Sequence, residues 1–152
     1  MIVDFEGYKG VVENVIPFHQ FMNLELKEVK EGYAKLRMPF KPELIGDPRK
    51  DWLHGGIVAS LVDSAAGAAA ITTLTTFEDK LATVDMRVDY LRPAQAYDVI
   101  AEAKIVRNGK HIIVVHVTTY HFSSKDVIAE GRVTLSVSRL KAKRDKKASK
   151  KA

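Results

Sequence analysis

From Ile57 to about Thr75 the chain carries a single charge, Asp63, in a stretch that is otherwise apolar or small and holds Ala59, Ala65, Ala66, Ala68, Ala69 and Ala70. That alanine content, without proline, favours a long helix, which Gly67 weakens slightly. An ionised carboxylate buried without a partner is costly, so Asp63 is hydrogen-bonded, exposed in a cleft, or kept for chemistry. The helix opens on paired glycines, Gly55 and Gly56, preceded by His54. The longest uncharged run, Ser64 to Phe77, falls short of the roughly 20 apolar residues that cross a bilayer, so no membrane partner is expected.

Strand periodicity surrounds this helix. Leu24 to Val29 and Tyr33 to Met38 read as two strands turning at Glu31-Gly32, and a polar, proline-bearing loop follows from Pro39 to Asp51. Beyond the helix, Ala82, Val84, Met86, Val88 and Tyr90 alternate with Thr83, Asp85, Arg87 and Asp89, the pattern of a half-buried strand that ends at Arg92-Pro93. Val99 to Val106, Ile112 to Phe122 and Val127 to Val137 continue an antiparallel meander, with Asn108-Gly109 closing a tight hairpin and Ser123 to Asp126 a polar turn. Val11 to Met22 reads as partly helical, interrupted at Pro17. One sheet and one long, small-residue helix predict an α+β fold in which the sheet curls around the helix.

Composition narrows the compartment and the partners. The 152 residues, 46% of them hydrophobic, suffice for one self-standing domain over residues 1–140, with 1–22 as its partly helical N-terminal segment. Without cysteine there are no disulfides and no thiolate chemistry, which points to the cytoplasm, and the first ten residues lack the basic-then-apolar order of a signal peptide. The net charge of +5 is concentrated at the end, where residues 141–152 carry +6, leaving the first 140 residues at −1. That basic tail has no aromatic residue to stack on a base and no apolar period, so it reads as a disordered, solubilising end and no nucleic-acid partner is expected.

The segment LHGGIVASLVDSAAGAAA, then TVDMRVDYLRPA, then VIAEGRVTLSV resembles the hotdog-fold acyl-CoA thioesterases of the phenylacetic-acid-degradation (PaaI-like) type over about Leu24 to Leu140. The resemblance implies an antiparallel sheet wrapped around a central helix, subunits paired as a dimer or a dimer of dimers, and thioester hydrolysis at the subunit boundary. No metal or other cofactor is implied, and His19, His111, His116 and His121 show no metal-ligand spacing.

Helix geometry constrains such a site. Gly56 and Asp63 are seven residues apart, about 10.5 Å along a helix and on nearly the same face, too far to serve one carbonyl. Two antiparallel copies bring Asp63 of one near the glycine-rich helix start of the other, which makes a homodimer with two equivalent sites. The unpaired N–H groups of Gly55 and Gly56 stabilise the oxyanion, or the pair simply permits a tight helix entry. Asp63 attacks the thioester carbon or activates water as general base, or else it is a helix residue bonded to Ser60 or to a partner chain. His54, at the loop-to-helix junction, suits capping or positioning more than proton transfer.

Thr83 stands where related thioesterases often carry Ser or Thr, and its hydroxyl either orients the carboxylate or water or is an ordinary strand residue. The family often places Asn or Gln six residues before the histidine, and here that position is Pro48, after Asp47. Arg107, Lys110 and Arg132, read as near strand ends, are the candidate cations for the phosphates of coenzyme A. The expected activity is hydrolysis of a medium-chain or aryl acyl-CoA. The alternatives are a non-catalytic acyl-CoA-binding or sensing module, which would not need Asp63, and a hotdog dehydratase, which would pair a histidine with an acid.

Overall fold

The computed structural model describes residues 1–140, so the basic tail lies outside the described residues. Two short helices, α1 (Phe5–Gly10) and α2 (Pro17–Phe21), flank a π-helical turn over Val11–Val15. Asp4 caps α1, accepting the Gly7 N–H at 2.9 Å. The helical reading of Val11 to Met22 therefore extends back to Phe5, and Pro17 opens a helix instead of interrupting one, since the first helical position needs no N–H.

Strands β1 (Glu25–Lys30) and β2 (Tyr33–Met38) turn at Glu31-Gly32, where Gly32 has a φ of 75°, a conformation glycine adopts at no steric cost. The expected loop from Pro39 to Asp51 instead holds a 3-10 turn (Pro42–Leu44) and one strand of a small ribbon, β3 (Ile45–Asp47) with β4 (Trp52–Leu53), elements too short to leave a period in the sequence. Then come α3 (Gly55–Ile71), β5 (Lys80–Tyr90), β6 (Val99–Asn108), β7 (Ile112–His121) and β8 (Val127–Ser138). α3 stops at Ile71, short of Thr75, because the Thr72 and Thr73 hydroxyls donate to the Ala69 and Ala70 carbonyls at 2.6 and 2.9 Å and satisfy the helix end.

The main sheet has the order β1-β2-β6-β7-β8-β5, every neighbouring pair antiparallel. Only β6-β7-β8 form a meander. β5 crosses to the far edge and pairs with β8, while β6 pairs with β2, which corrects the expectation of one continuous meander from β5 onward. Asn108-Gly109 also differs from expectation. Asn108 belongs to β6, the link runs through residues 109–111, and Gly109 does not take positive φ.

α3 is buried on most sides, with Leu61, Val62, Ala65, Ala66, Ala69 and Ala70 fully enclosed by the inward faces of β2, β6, β7 and β8. A helix apolar all round has no face for water, so the sheet closes over it. Close approach depends on one glycine: a Cβ on Gly131 of β8 would stand 2.3 Å from Val62 Cγ1. Among the described residues no helix is long and apolar enough to cross a membrane.

The β5–β8 register slips between Thr83 and Asp85, a β-bulge that reverses the alternation. Ala82 and Val84, expected on the buried face with Met86 and Val88, are exposed, and Thr83, though exposed as well, turns its hydroxyl to Asp63 of the helix. The extra residue at the bulge thus hands the helix-side position to a hydroxyl.

Candidate active site

The start of α3 is held by two side chains. His54 is its N-cap, and its Nδ1 accepts the Gly56 N–H at 2.9 Å, the capping role the sequence suggested. That bond requires an unprotonated Nδ1, which fixes the tautomer with hydrogen on Nε2 in the neutral ring. A Cβ on Gly56 would lie 2.9 Å from the same nitrogen, so the cap itself demands glycine at position 56. On the other side of the same peptide unit the Tyr90 hydroxyl donates to the Gly55 carbonyl at 2.6 Å. Partial desolvation of the Tyr90 hydroxyl, in a residue that is otherwise exposed, raises the phenol above its ordinary range.

These bonds correct the expectation that both glycine amides face the reaction. The Gly56 N–H is taken by His54, whereas the Gly55 N–H has no hydrogen-bond partner among the described residues. A Cβ on Gly55 would meet only ordinary contacts with the Tyr90 ring at 3.6 Å, so internal packing does not demand this glycine. An apolar cavity of about 360 Å3 opens beside it between Trp52, Leu53, Val58, Tyr90 and Pro93.

Asp63 lies two turns further along α3, half-buried. Its Oδ1 accepts the Thr83 hydroxyl at 2.7 Å, and its Oδ2 accepts no hydrogen bond among the described residues. The Ser60 hydroxyl turns back to the Gly56 carbonyl at 2.8 Å, so Asp63 is not its partner. The carboxylate and Thr83 stand at one end of a cleft of about 310 Å3 that also meets Ile16, His19, Ile71 and Leu81. An acid with one oxygen anchored and one free, open to an apolar space, can attack an electrophile or accept a proton from water.

In the sequence His19 shows only a lack of metal-ligand spacing, yet α2 buries it in the wall of this cleft. Its Nδ1 donates to the Val12 carbonyl at 3.0 Å, and since a carbonyl can only accept, Nε2 carries the lone pair. Burial lowers its pKa, partly offset by the Val12 bond and the charge of Asp63, so the imidazole is neutral near pH 7. No sequence signal announces this placement, because it depends on a π-helical turn that presents the Val12 carbonyl. His121 accepts the Gln95 N–H at 3.0 Å, and among the described residues no three acidic or histidine side chains converge on a metal-sized space.

The three candidate cations sit on different elements. Arg107 lies near the end of β6 and Lys110 in the following turn, both exposed. Arg132 occupies the middle of β8, not a strand end, and faces outward in register with His116 and Arg87. Pro48 sits in the turn between β3 and β4, and the adjacent Asp47 carboxylate is engaged by the Arg49 N–H and guanidinium, each at 3.0 Å.

Residues 52–128, which hold His54, Gly55, Gly56, Asp63, Thr83 and Tyr90, match the model of the Thioesterase superfamily. A medium/long-chain acyl-CoA thioesterase from Salmonella typhimurium, YigI, is 31% identical over 118 residues, 70% of this chain and 76% of that protein. A putative esterase from Halobacterium salinarum, VNG_1336C, is 31% identical over 120 residues, covering 76% of this chain and 79% of the other. Among solved structures, a thioesterase family protein from Silicibacter pomeroyi superposes with a TM-score of 0.76 at 29% identity, over 86% of this chain and 98% of that one. The thioesterase HI1161 from Haemophilus influenzae, at 20% identity, shares the fold with a TM-score of 0.80 over 95% of this chain and 96% of its own. By its family match, its relatives and its helix-in-sheet architecture, this chain belongs to the thioesterase superfamily and is a thioester hydrolase of the hotdog fold.

Proposed function

We propose that the protein hydrolyses medium-chain or aryl acyl-CoA to the free acid and coenzyme A, in the manner of the PaaI-like branch of the family, with Asp63 as the reacting carboxylate. The observation that carries this reading is the Asp63–Thr83 pair: a carboxylate anchored through one oxygen at 2.7 Å, with the other free at the polar end of an apolar cleft. The activity named for the YigI relatives supports acyl-CoA as the substrate.

In this reading Asp63 Oδ2 adds to the thioester carbon and expels the thiolate, leaving a mixed anhydride for water to cleave, or it takes a proton from a water that adds directly. Either route places negative charge on the carbonyl oxygen. The free Gly55 N–H, at the positive end of the α3 dipole, is the donor suited to that charge, while His54 and Tyr90 hold the adjoining Gly55–Gly56 peptide plane.

Gly55 and Asp63 are eight residues apart on α3, about 12 Å along its axis, so one chain cannot offer both to the same carbonyl. A second copy completes the site. The long edge strand β5 pairs on one side only, and its exposed Val84 and Tyr90 support a two-fold, edge-to-edge dimer. Arg107 and Lys110 remain candidates for the coenzyme A phosphates, and Arg132 is the weaker one. The lack of cysteine supports a cytoplasmic site of action.

Free-thiol release from a panel of acyl-CoAs, with Asp63→Asn alongside, tests the reading. We expect at least a hundredfold loss of kcat in the variant, the order of magnitude general-base or nucleophilic catalysis contributes, with the melting temperature retained. Undiminished turnover by Asp63→Asn would remove Asp63 from the chemistry.

A further inference from the structure

Among the described residues nothing gives Gly67 a structural reason to be glycine. It lies in the interior of α3, where glycine is less favourable than alanine, and it does not take positive φ. A Cβ built there meets nothing within 4 Å, unlike Gly131, where one would strike Val62. Neither backbone conformation nor close packing therefore requires the missing side chain. Gly67 is also one helical turn beyond Asp63 and lines the same cleft, so its absent side chain is absent from that cleft.

The cleft has a direction. Toward one end stand Ser60, Asp63 and Thr83; further along α3 come Gly67 and then Ile71, and along β5, which starts near the C-terminal end of α3, comes Leu81. Asp63, Gly67 and Ile71 are spaced by four residues and share a helix face, which makes the floor about 12 Å long at 1.5 Å per residue. Ile16 and Phe18 of the N-terminal segment form the opposite wall. Polarity falls along the same line, from carboxylate and hydroxyl to isoleucine and leucine.

We propose that this groove holds the acyl chain of the substrate and that Gly67 sets the chain length it admits, the open position at 67 allowing the chain to pass and Ile71 with Leu81 ending it. The inference rests on the reading of Asp63 as the reacting group. With C–C bonds of about 1.5 Å at near-tetrahedral angles, an extended chain advances about 1.25 Å per carbon, so a 12 Å floor accommodates about ten carbons. The substrate class is thus a straight, medium-length acyl group, in preference to a compact aryl one. A leucine at position 67 would fill the groove one turn, about 6 Å, from the carboxylate and leave room for about four to five carbons.

The test is Gly67→Leu, with Gly67→Ala as the conservative variant, assayed by thiol release from butyryl-, octanoyl-, decanoyl- and dodecanoyl-CoA. Wild type is expected to peak at eight to twelve carbons. Gly67→Leu should lower kcat/KM for decanoyl-CoA at least tenfold while keeping butyryl-CoA within threefold, and Gly67→Ala should fall between them. Equal loss across all lengths, or no change in the profile, overturns the assignment. Calorimetric binding of the non-hydrolysable thioethers S-decyl-CoA and S-butyl-CoA separates the groove from the chemistry. Should wild type bind S-decyl-CoA and Gly67→Leu bind it tenfold more weakly, with S-butyl-CoA unaffected, the groove stands even where hydrolysis is absent and the reading of Asp63 fails. Equal affinities of the two proteins for S-decyl-CoA overturn it.

Discussion

Adding one methyl group at Gly131 should damage both the stability and the activity of this protein, though Gly131 touches no proposed substrate. The Cβ of Gly131→Ala would lie 2.3 Å from Val62 Cγ1, and restoring an ordinary contact of 3.4 Å requires the helix and the sheet to part by about 1 Å. Val62 is completely buried. Overpacking of this kind costs about 1–3 kcal/mol. In a domain of this size each kcal/mol lowers Tm by about 2–4 °C, so a fall of roughly 2–12 °C is expected.

The functional effect follows from the same displacement. Asp63 is the next residue on α3 after Val62, and Thr83 is on β5, which is paired to β8 and moves with it. Parting the layers by about 1 Å stretches the 2.7 Å Asp63–Thr83 bond beyond hydrogen-bonding reach, and a misplacement of that size in a reacting group costs up to about a hundredfold in rate. Thermal unfolding followed by circular dichroism, together with acyl-CoA turnover, measures both effects. Val62→Ala removes the methyl group that collides, so the double variant should recover part of each loss, giving a coupling energy instead of simple addition. An unchanged Tm and kcat in Gly131→Ala, or strictly additive effects in the double variant, would refute the reasoning.

Two further outcomes follow from side chains at the helix ends. Tyr90→Phe removes the hydroxyl that holds the Gly55 carbonyl, a bond worth about 1 kcal/mol, and should lower kcat about fivefold with KM little changed; equal effects on both would place Tyr90 in substrate binding instead. Asp79, after α3, accepts hydrogen bonds from the Thr75 N–H at 2.8 Å and the Leu140 N–H at 2.9 Å, which hold its carboxyl well below its ordinary value of 3.8. A depressed folded-state pKa contributes stability that is present above the unfolded value and lost as pH falls through the folded one. The Tm advantage of wild type over Asp79→Asn should therefore be full at pH 6 and shrink below about pH 4, and a gap independent of pH would count against the carboxylate's role.

Much of the architecture was legible along the chain because it rests on local periodicity. An alanine-rich stretch with one charge has no solvent face, and alternation between Val127 and Val137 or Ile112 and Phe122 marks strands whatever their neighbours. The His54-Gly55-Gly56 start and the isolated Asp63 likewise stood out, since local chemistry leaves few uses for them. Periodicity does not say which strands adjoin, and β5 accordingly lies beside β8 at an edge, not in a meander with β6.

Three determinants of the site came only from the tertiary structure. The bulge at Val84 turns Thr83 toward Asp63, and a bulge depends on pairing with β8, which the sequence of β5 does not encode by itself. His19 reaches the cleft because a π-helical turn and α2 fold back across α3, a contact between residues far apart in the chain. Gly67 and Gly131 look alike in the sequence, yet one faces open space and the other the methyl groups of Val62. The sequence by itself determined a buried helix, a surrounding antiparallel sheet and a carboxylate in need of a purpose. What surrounds that carboxylate was decided by long-range packing, because hydrogen-bond partners and cavity walls are properties of residues brought together in space.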